Sequence, residues 1–175
     1  MDPEGASTLI KSDGTFPDIL APFVPTPQDV VDRMLELAGV TSADLVYDLG
    51  CGDGRILISA ARKYGARGLG VDMEPYRVTE SQNNAKSAGV EHLLTFKLQD
   101  AMTVDLSPAN VITLYLVEWS TVRLQQRILR YAQAGSRIVS HSFGMDSWTP
   151  EMVEKFVDTK GEPRTLYLWI VPERS

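Results

Sequence analysis

From residue 45 onward, short apolar runs alternate with segments long enough to form helices. Such runs are typical of buried strands, whereas the longer segments carry apolar residues at helical spacing. Strands that alternate with helices form βαβ units, in which the strands are parallel and helices cover both faces of the sheet. The sequence therefore predicts an α/β fold with a doubly wound, mostly parallel sheet.

The individual elements follow from this pattern. The predicted strands are 45–49, 68–72, 94–98, 111–116 and 137–143, and the predicted helices are 56–64, 75–88 and 121–132. An earlier helix is predicted with Thr26 as its cap, Pro27 at its first position and Gly39 at its end. In the helix 121–132, we expect Val122 and Ile128 to face the core.

The chain ends differently, with apolar runs at 152–157 and 165–171 around a short turn. This turn is too short for a parallel crossover, so the pair is predicted to be an antiparallel hairpin at the sheet edge. A helix over 152–157 is the alternative. Residues 1–22, rich in Gly, Pro, Ser, Thr and Asp, are predicted to be a tail, and residues 23–175 a single domain.

Composition limits the possible partners. The formal net charge is -6 and the pI is about 4.9. An acidic surface opposes general binding to phosphate backbones, so we expect no nucleic-acid partner, but rather a basic protein or a small molecule. The single cysteine and two widely separated histidines indicate no metal site. No membrane span or signal pattern is found, which predicts a cytoplasmic protein unless a precursor carries an export signal.

Three alternate glycines follow the first predicted strand, in the stretch VYDLGCGDGR. Gly50 would permit a sharp turn, and Gly52 would allow a ligand to approach the main chain. Gly54 opens the next helix, where free N–H groups could meet an anion. Open α/β sheets bind ligands at this edge. A purely structural strand-to-helix turn is the alternative for a single GxGxG pattern.

Three acidic residues stand at the carboxyl ends of the first three strands, namely Asp48, Asp72 and Asp100. Asp72 lies about twenty residues after the glycines, where an acid commonly accepts hydrogen bonds from ribose hydroxyls. A dinucleotide fold would require a glycine where this chain has Arg55, and the acids would repel a pyrophosphate. The pattern favours a ligand with a cationic amine, a ribose and an adenine, such as S-adenosylmethionine.

The stretch 46–55 resembles motif I of the class I, seven-β-strand methyltransferases. Val71-Asp72 is similar to their second motif and Gln99-Asp100-Ala101 to their third. Residues 23–27, Gly54-Arg55-Ile56 and 137–141 also resemble a subgroup with archaeal broad-specificity protein-lysine methyltransferases and mitochondrial enzymes that methylate an ATP-synthase subunit. The resemblance implies strand order 3-2-1-4-5-7-6, with strand 7 antiparallel, and S-adenosylmethionine as the cofactor.

The resemblance also implies the site residues. Thr26, Asp48, Gly50 and Gly52 would meet the methionine end of the cofactor, with Cys51 as a small loop residue. Asp72 would bind the ribose, Asp100 the adenine amino group with Ala101 beside it, and Leu116 the reacting face.

The acceptor side departs from the lysine-modifying relatives at Glu118-Trp119, where small or amide residues are expected. Glu118 could attract a basic acceptor or be a solvated loop acid. Trp119 could form a pocket wall or pack under a helix. Tyr115 is expected to face the site, and His141 to be a buried histidine rather than a base. The resulting hypothesis is protein-lysine methylation, with small-molecule O- or N-methylation or non-catalytic cofactor binding as alternatives.

Overall fold

The computed structural model describes residues 25–114, 118–141, 144–145 and 147–174, without the side chains of residues 118–121. In this part of the chain, the helices are α1 (Gln28–Leu37), α2 (Arg55–Tyr64), α3 (Pro75–Ser87) and α4 (Glu118–Tyr131). The strands are β1 (Leu45–Leu49), β2 (Arg67–Asp72), β3 (Leu94–Leu98), β4 (Val111–Leu114), β5 (Arg137–His141), β6 (Met152–Val157) and β7 (Pro163–Ile170). The predicted tail, residues 1–22, lies outside the described residues.

The strands form one seven-stranded sheet with the order β3-β2-β1-β4-β5-β7-β6. Strands β1 to β5 pair with one another in parallel, whereas β7 is antiparallel to both β5 and β6. The predicted order and the terminal hairpin are therefore confirmed, and residues 152–157 form a strand, not a helix.

The core divides into two layers because side chains alternate across the sheet. On one face, Val46 and Val139 pack with buried residues of α1, α2 and α3, such as Leu57. On the other face, Ile112 and Trp169 pack with buried residues of α4. Helices thus cover both faces, as predicted, and the carboxyl ends of the parallel strands meet at one edge.

Three helix starts differ from the predictions, and the smallest difference is at α2, which begins at Arg55, one residue early. Helix α1 begins at Gln28, and its N-cap is Pro27, with an extended ψ of 148° and no side-chain capping bond. Thr26 is therefore not the cap. Helix α4 begins at Glu118, three residues before the predicted start. Its Val122 is exposed, whereas Leu124 and Ile128, one helical turn apart, are buried.

Candidate functional site

The glycine loop, defined as residues 50–54, joins β1 to α2 at the carboxyl edge of the sheet. Its three glycines have φ angles of 88°, 56° and 84° at Gly50, Gly52 and Gly54. L side chains rarely adopt this left-handed backbone, so each glycine meets a conformational need. The N–H groups of Gly50 and Cys51 both donate to the carbonyl oxygen of Val71 at 2.9 Å. The loop therefore turns sharply against the end of β2.

Helix α3 fixes the loop from the side. Ser81 Oγ donates to the carbonyl oxygen of Gly52 at 2.7 Å, and Asn84 Nδ2 donates to that of Asp53 at 2.9 Å. A Cβ at Gly54 would lie only 3.1 Å from Ser81 Cβ. Both this tight contact and the positive φ of Gly54 disfavour a side chain there. The N–H of Gly54 donates to the carbonyl oxygen of Cys51 at 2.9 Å, so this particular N–H is not free to bind an anion.

Cys51 faces the protein interior below the loop. It is buried, and its Sγ lies 3.9 Å from Ser81 Oγ. Burial, together with the negative charges of Asp48 and Asp72, raises the pKa of the thiol far above its ordinary value. A side chain at Gly70 of β2 would bring a Cβ within 2.8 Å of Cys51 Cβ. Because Gly70 has no side chain, β2 leaves room for Cys51.

The carboxylate of Asp72 ties the loop to the end of β2. One oxygen accepts the N–H of Gly52 at 3.0 Å, and the other accepts the N–H of Glu74 at 3.0 Å. Each oxygen has a second lone pair for another donor. The structure therefore brings this predicted ribose ligand directly against the predicted ligand-facing glycine.

Asp48 lies within β1 and is buried, with only 3% of its surface exposed. Thr113 Oγ1 of β4 donates to its carboxylate at 2.9 Å. Burial raises the pKa of Asp48 to about 7, despite the Thr113 hydrogen bond, and the negative charges of Asp72 and Asp53 act in the same direction. A cationic ligand group beside this carboxyl would favour its ionised form.

Asp100 follows β3 at the same edge of the sheet. It is partly buried and accepts the N–H of Met102 at 2.9 Å, which caps a short 3-10 turn, Ala101–Thr103. Ala101 is buried. The N–H of Gln99 donates to the carbonyl oxygen of Asp72 at 3.1 Å, so the ends of β2 and β3 are directly linked.

The acceptor-side predictions are only partly within the described chain. Tyr115 and Leu116 lie outside the described residues, while Glu118 and Trp119 form the start of α4 and their side chains are not described. His141, at the end of β5, is buried, and Arg164 Nη1 lies 3.5 Å from its Nε2. Burial and the Arg164 charge lower the pKa of His141 to about 4, so the imidazole is neutral at pH 7.

The comparisons with known proteins agree with this geometry. A family model for the ANTKMT methyltransferase domain matches residues 48–152. A protein-lysine N-methyltransferase of Saccharolobus islandicus (strain REY15A) is 38% identical over 88% of this chain and 96% of the relative. The chain belongs to the ANTKMT methyltransferase family.

More distant relatives of this ANTKMT family member include a human lysine N-methyltransferase named for a subunit of ATP synthase, which is 28% identical over 77% of the chain. The chain spans 57% of that relative's length. Among solved structures, an RNA methyltransferase from Salinibacter ruber in complex with S-adenosyl-L-homocysteine has a TM-score of 0.80 and 45% identity. That match covers 87% of this chain and 96% of that one.

Two features of the candidate site were not predicted. The first is an ion pair between Asp53 and Arg55, whose Nη2 lies 2.6 Å from Asp53 Oδ2. The second is a group of exposed apolar side chains near Asp72. Met73 directly follows Asp72, Tyr76 is the second residue of α3, and Leu98 is the register partner of Asp72 on β3. The place of Met73 in the site could have been predicted, because it directly follows Asp72 in the sequence. The exposure of Tyr76 and Leu98 depends on the tertiary structure.

A surface groove of about 700 Å³ lies among α1, α2 and α3. Asp53 and Arg55 line it, but none of the predicted cofactor-binding residues within the described chain does. We therefore do not assign the cofactor to this groove. Among all the residues that the structure describes, no group of three or more His, Cys, Asp or Glu side chains is suited to holding a metal ion. None of the helices described has the length and apolar character that crossing a bilayer requires.

Proposed function

We propose that this protein transfers a methyl group from S-adenosylmethionine to lysine side chains of proteins. The observation that carries this proposal is the 38% identity to a protein-lysine N-methyltransferase over nearly the whole of that relative. The described residues support the proposal, because three carboxylates and the glycine loop meet at the edge of the sheet where we expect the cofactor. We place the methyltransferase domain at residues 23–175.

The loop region fits the cationic end of S-adenosylmethionine. Asp48 is a buried carboxyl group whose ionisation is opposed by its surroundings, and a neighbouring ammonium group would stabilise the carboxylate. Gly50 is exposed and Gly52 is buried, and neither carries a Cβ that would stand between a ligand and the main chain. We therefore assign Thr26, Asp48 and the first two loop glycines to the methionine end of the cofactor, with Cys51 supporting the loop from below.

The ends of β2 and β3 fit the adenosine. Asp72 can accept the ribose hydroxyls through the lone pairs that Gly52 and Glu74 do not use. Tyr76 is 55% exposed and Leu98 57% exposed, and an adenine ring placed at the carboxyl ends of β2 and β3 would cover apolar surface there. We assign Asp100, with Ala101 beside it, as the acceptor for the adenine amino group.

When bound, S-adenosylmethionine supplies an activated methyl group on a sulfonium, so the protein's task is alignment of the acceptor. A lysine has an ordinary pKa near 10.4, and its deprotonation at pH 7 costs about 4.6 kcal/mol. Partial desolvation next to a positive charge lowers that cost. We assign the acceptor channel to the segment after β4, with Leu116 at the reacting face and Tyr115, Glu118 and Trp119 around the lysine.

RNA is a second candidate acceptor, because the 45% identical Salinibacter ruber structure is described as an RNA methyltransferase. The charge of this chain disfavours it. Aspartate and glutamate outnumber lysine and arginine by 23 to 17. An acidic protein gains little from counterion release on a phosphate backbone and attracts basic protein segments instead.

The test is incubation of the protein with labelled S-adenosylmethionine and, in parallel, basic proteins, RNA and small-molecule amines and alcohols. We expect label on the basic proteins, and peptide mass spectrometry should place the methyl groups on lysine. The Asp72→Ala variant is the control for enzyme-dependent labelling. Label confined to RNA or to small molecules would overturn the lysine assignment, and binding without turnover would indicate a non-catalytic module.

Cofactor affinity should depend on pH through Asp48. Because the pKa of Asp48 is raised to about 7, the carboxyl is mostly protonated at about pH 6 and mostly ionised at about pH 7.5. If the cofactor binds the ionised form, affinity should fall about tenfold between about pH 7.5 and about pH 6. Calorimetric titration with S-adenosylhomocysteine at both values measures this. In the Asp48→Asn variant the dependence should disappear, and a dependence that persists there would contradict the assignment.

A further inference from the structure

Arg55 occupies an unusual position for a cation. It is the first residue of α2, where the helix dipole places partial positive charge and disfavours arginine or lysine. A surface arginine with no function would be expected at the other end of the helix. Its side chain is instead about one-third exposed and turned onto neighbouring groups. Those contacts explain why an arginine is placed here.

Arg55 joins the glycine loop to the segment before α1. Its Nε lies 3.1 Å from each carboxylate oxygen of Asp53, and Nη2 lies 2.6 Å from one of them. Its Nη1 donates to the carbonyl oxygen of Thr26 at 2.9 Å. Because Asp53 belongs to the loop, one planar guanidinium connects the loop with Thr26. We call this arrangement the Arg55 clasp.

Asp53 is well suited to anchor the clasp. Burial alone would raise the pKa of Asp53, but the hydrogen bonds and charge of Arg55 outweigh it and hold the pKa below its ordinary value. The Asp53 carboxylate is therefore ionised throughout the neutral pH range, and it offsets the unfavourable helix dipole at Arg55. Its main chain is also fixed, since Asn84 donates to its carbonyl oxygen.

The contact with Arg55 is made by a buried residue, Thr26. It is only 5% exposed, although it precedes α1 and belongs to no helix or strand. Two other bonds fix the first turn of α1: Gln28 Nε2 donates to Ser59 Oγ at 2.9 Å, and Asp29 accepts the N–H of Thr159 at 2.8 Å. Neither reaches back to Thr26. Among the contacts of the described residues, the clasp acts on Thr26 directly and links it to the loop.

We infer that Arg55 is a positioning residue that holds Thr26 against the glycine loop and thereby slows release of S-adenosylhomocysteine. This inference rests on the proposed function, because it concerns the same cofactor site. The fork of the guanidinium engages a carboxylate and a carbonyl group at once, which the single ammonium of lysine does not reproduce.

The test compares Arg55→Ala and Arg55→Lys with Arg62→Ala, a control at an exposed position on the same helix. Stopped-flow fluorescence would measure the dissociation of S-adenosylhomocysteine, and hydrogen exchange would follow the amides of Thr26 and Gln28. In Arg55→Ala we expect about tenfold faster dissociation, faster exchange at Thr26 and a higher KM for S-adenosylmethionine, with kcat changed less than about twofold. Arg55→Lys should be intermediate, and the control should match the wild type.

The outcomes separate the inference from the proposed function. Dissociation and exchange at wild-type rates in Arg55→Ala would overturn the inference alone, since cofactor binding would be intact. If Arg55→Ala does not fold, wild-type dissociation in Arg55→Lys would overturn it in the same way. A wild-type protein that binds no S-adenosylhomocysteine would overturn the proposed function and this inference together.

Discussion

Replacement of Gly52 by valine is expected to abolish S-adenosylhomocysteine binding, with a loss of affinity greater than about 100-fold. Gly52 has a φ of 56°, which a β-branched residue adopts only with strain of about 1–3 kcal/mol. Its N–H also donates to Asp72, so a shift of the loop disturbs the proposed ribose ligand. In the proposed binding mode, a side chain here would also occupy space that the ligand needs. Isothermal titration calorimetry measures the loss of affinity.

Gly89→Val is the matched control for backbone strain. Gly89 ends the α3 region with a φ of 73°, and a Cβ there would meet no atom within 4 Å. The control should therefore lose stability to a similar extent in urea unfolding but keep normal cofactor affinity. Equal affinity in Gly52→Val and the wild type would mean that the ligand does not approach the main chain at Gly52.

Removal of the Asp72 carboxylate should weaken cofactor binding by about 10- to 100-fold. Hydrogen bonds to a charged group contribute about 1.5–3 kcal/mol, and the ribose would lose such an acceptor. The Asp72→Ala variant also leaves the N–H groups of Gly52 and Glu74 without their acceptor, so the loop should become less ordered. Equilibrium titration with S-adenosylmethionine tests this change.

Two further variants test whether the loss of affinity in Asp72→Ala comes from the lost charge at this position. Asp72→Asn keeps an oxygen acceptor and loses the charge, so its affinity should lie between those of the wild type and Asp72→Ala. Asp105→Ala removes an exposed carboxylate that accepts from Ser107, and it should bind the cofactor normally. Unchanged affinity in Asp72→Ala would show that the ribose is held by other residues.

Much of the fold was predictable because buried parallel strands form short apolar runs. Strands β1 and β3 have the predicted bounds, residues 45–49 and 94–98. The full strand order came from the family resemblance, since strand pairing is a long-range property. The start of α4 was predicted too late because its first residues, Glu118 to Ser120, show no apolar periodicity.

The sequence predicted which acidic residues lie at the same edge of the sheet, because this depends only on the direction of the strands. Asp48, Asp72 and Asp100 each stand at the end of a strand, and parallel strands bring such residues to one edge. The remaining properties require partners distant in sequence. The buried hydrogen bond of Asp48 involves Thr113, which is 65 residues away, and the Arg55 contact with Thr26 spans 29 residues. No local pattern reveals such distances.

The burial of Cys51 has a consequence for how the protein tolerates reactive chemicals. Only the thiolate attacks electrophiles, and a thiol with a strongly raised pKa carries almost none at physiological pH. It is also the single cysteine in the chain. Thiol-alkylating reagents therefore have no ready target in this protein, and its activity should need no reducing agent for protection.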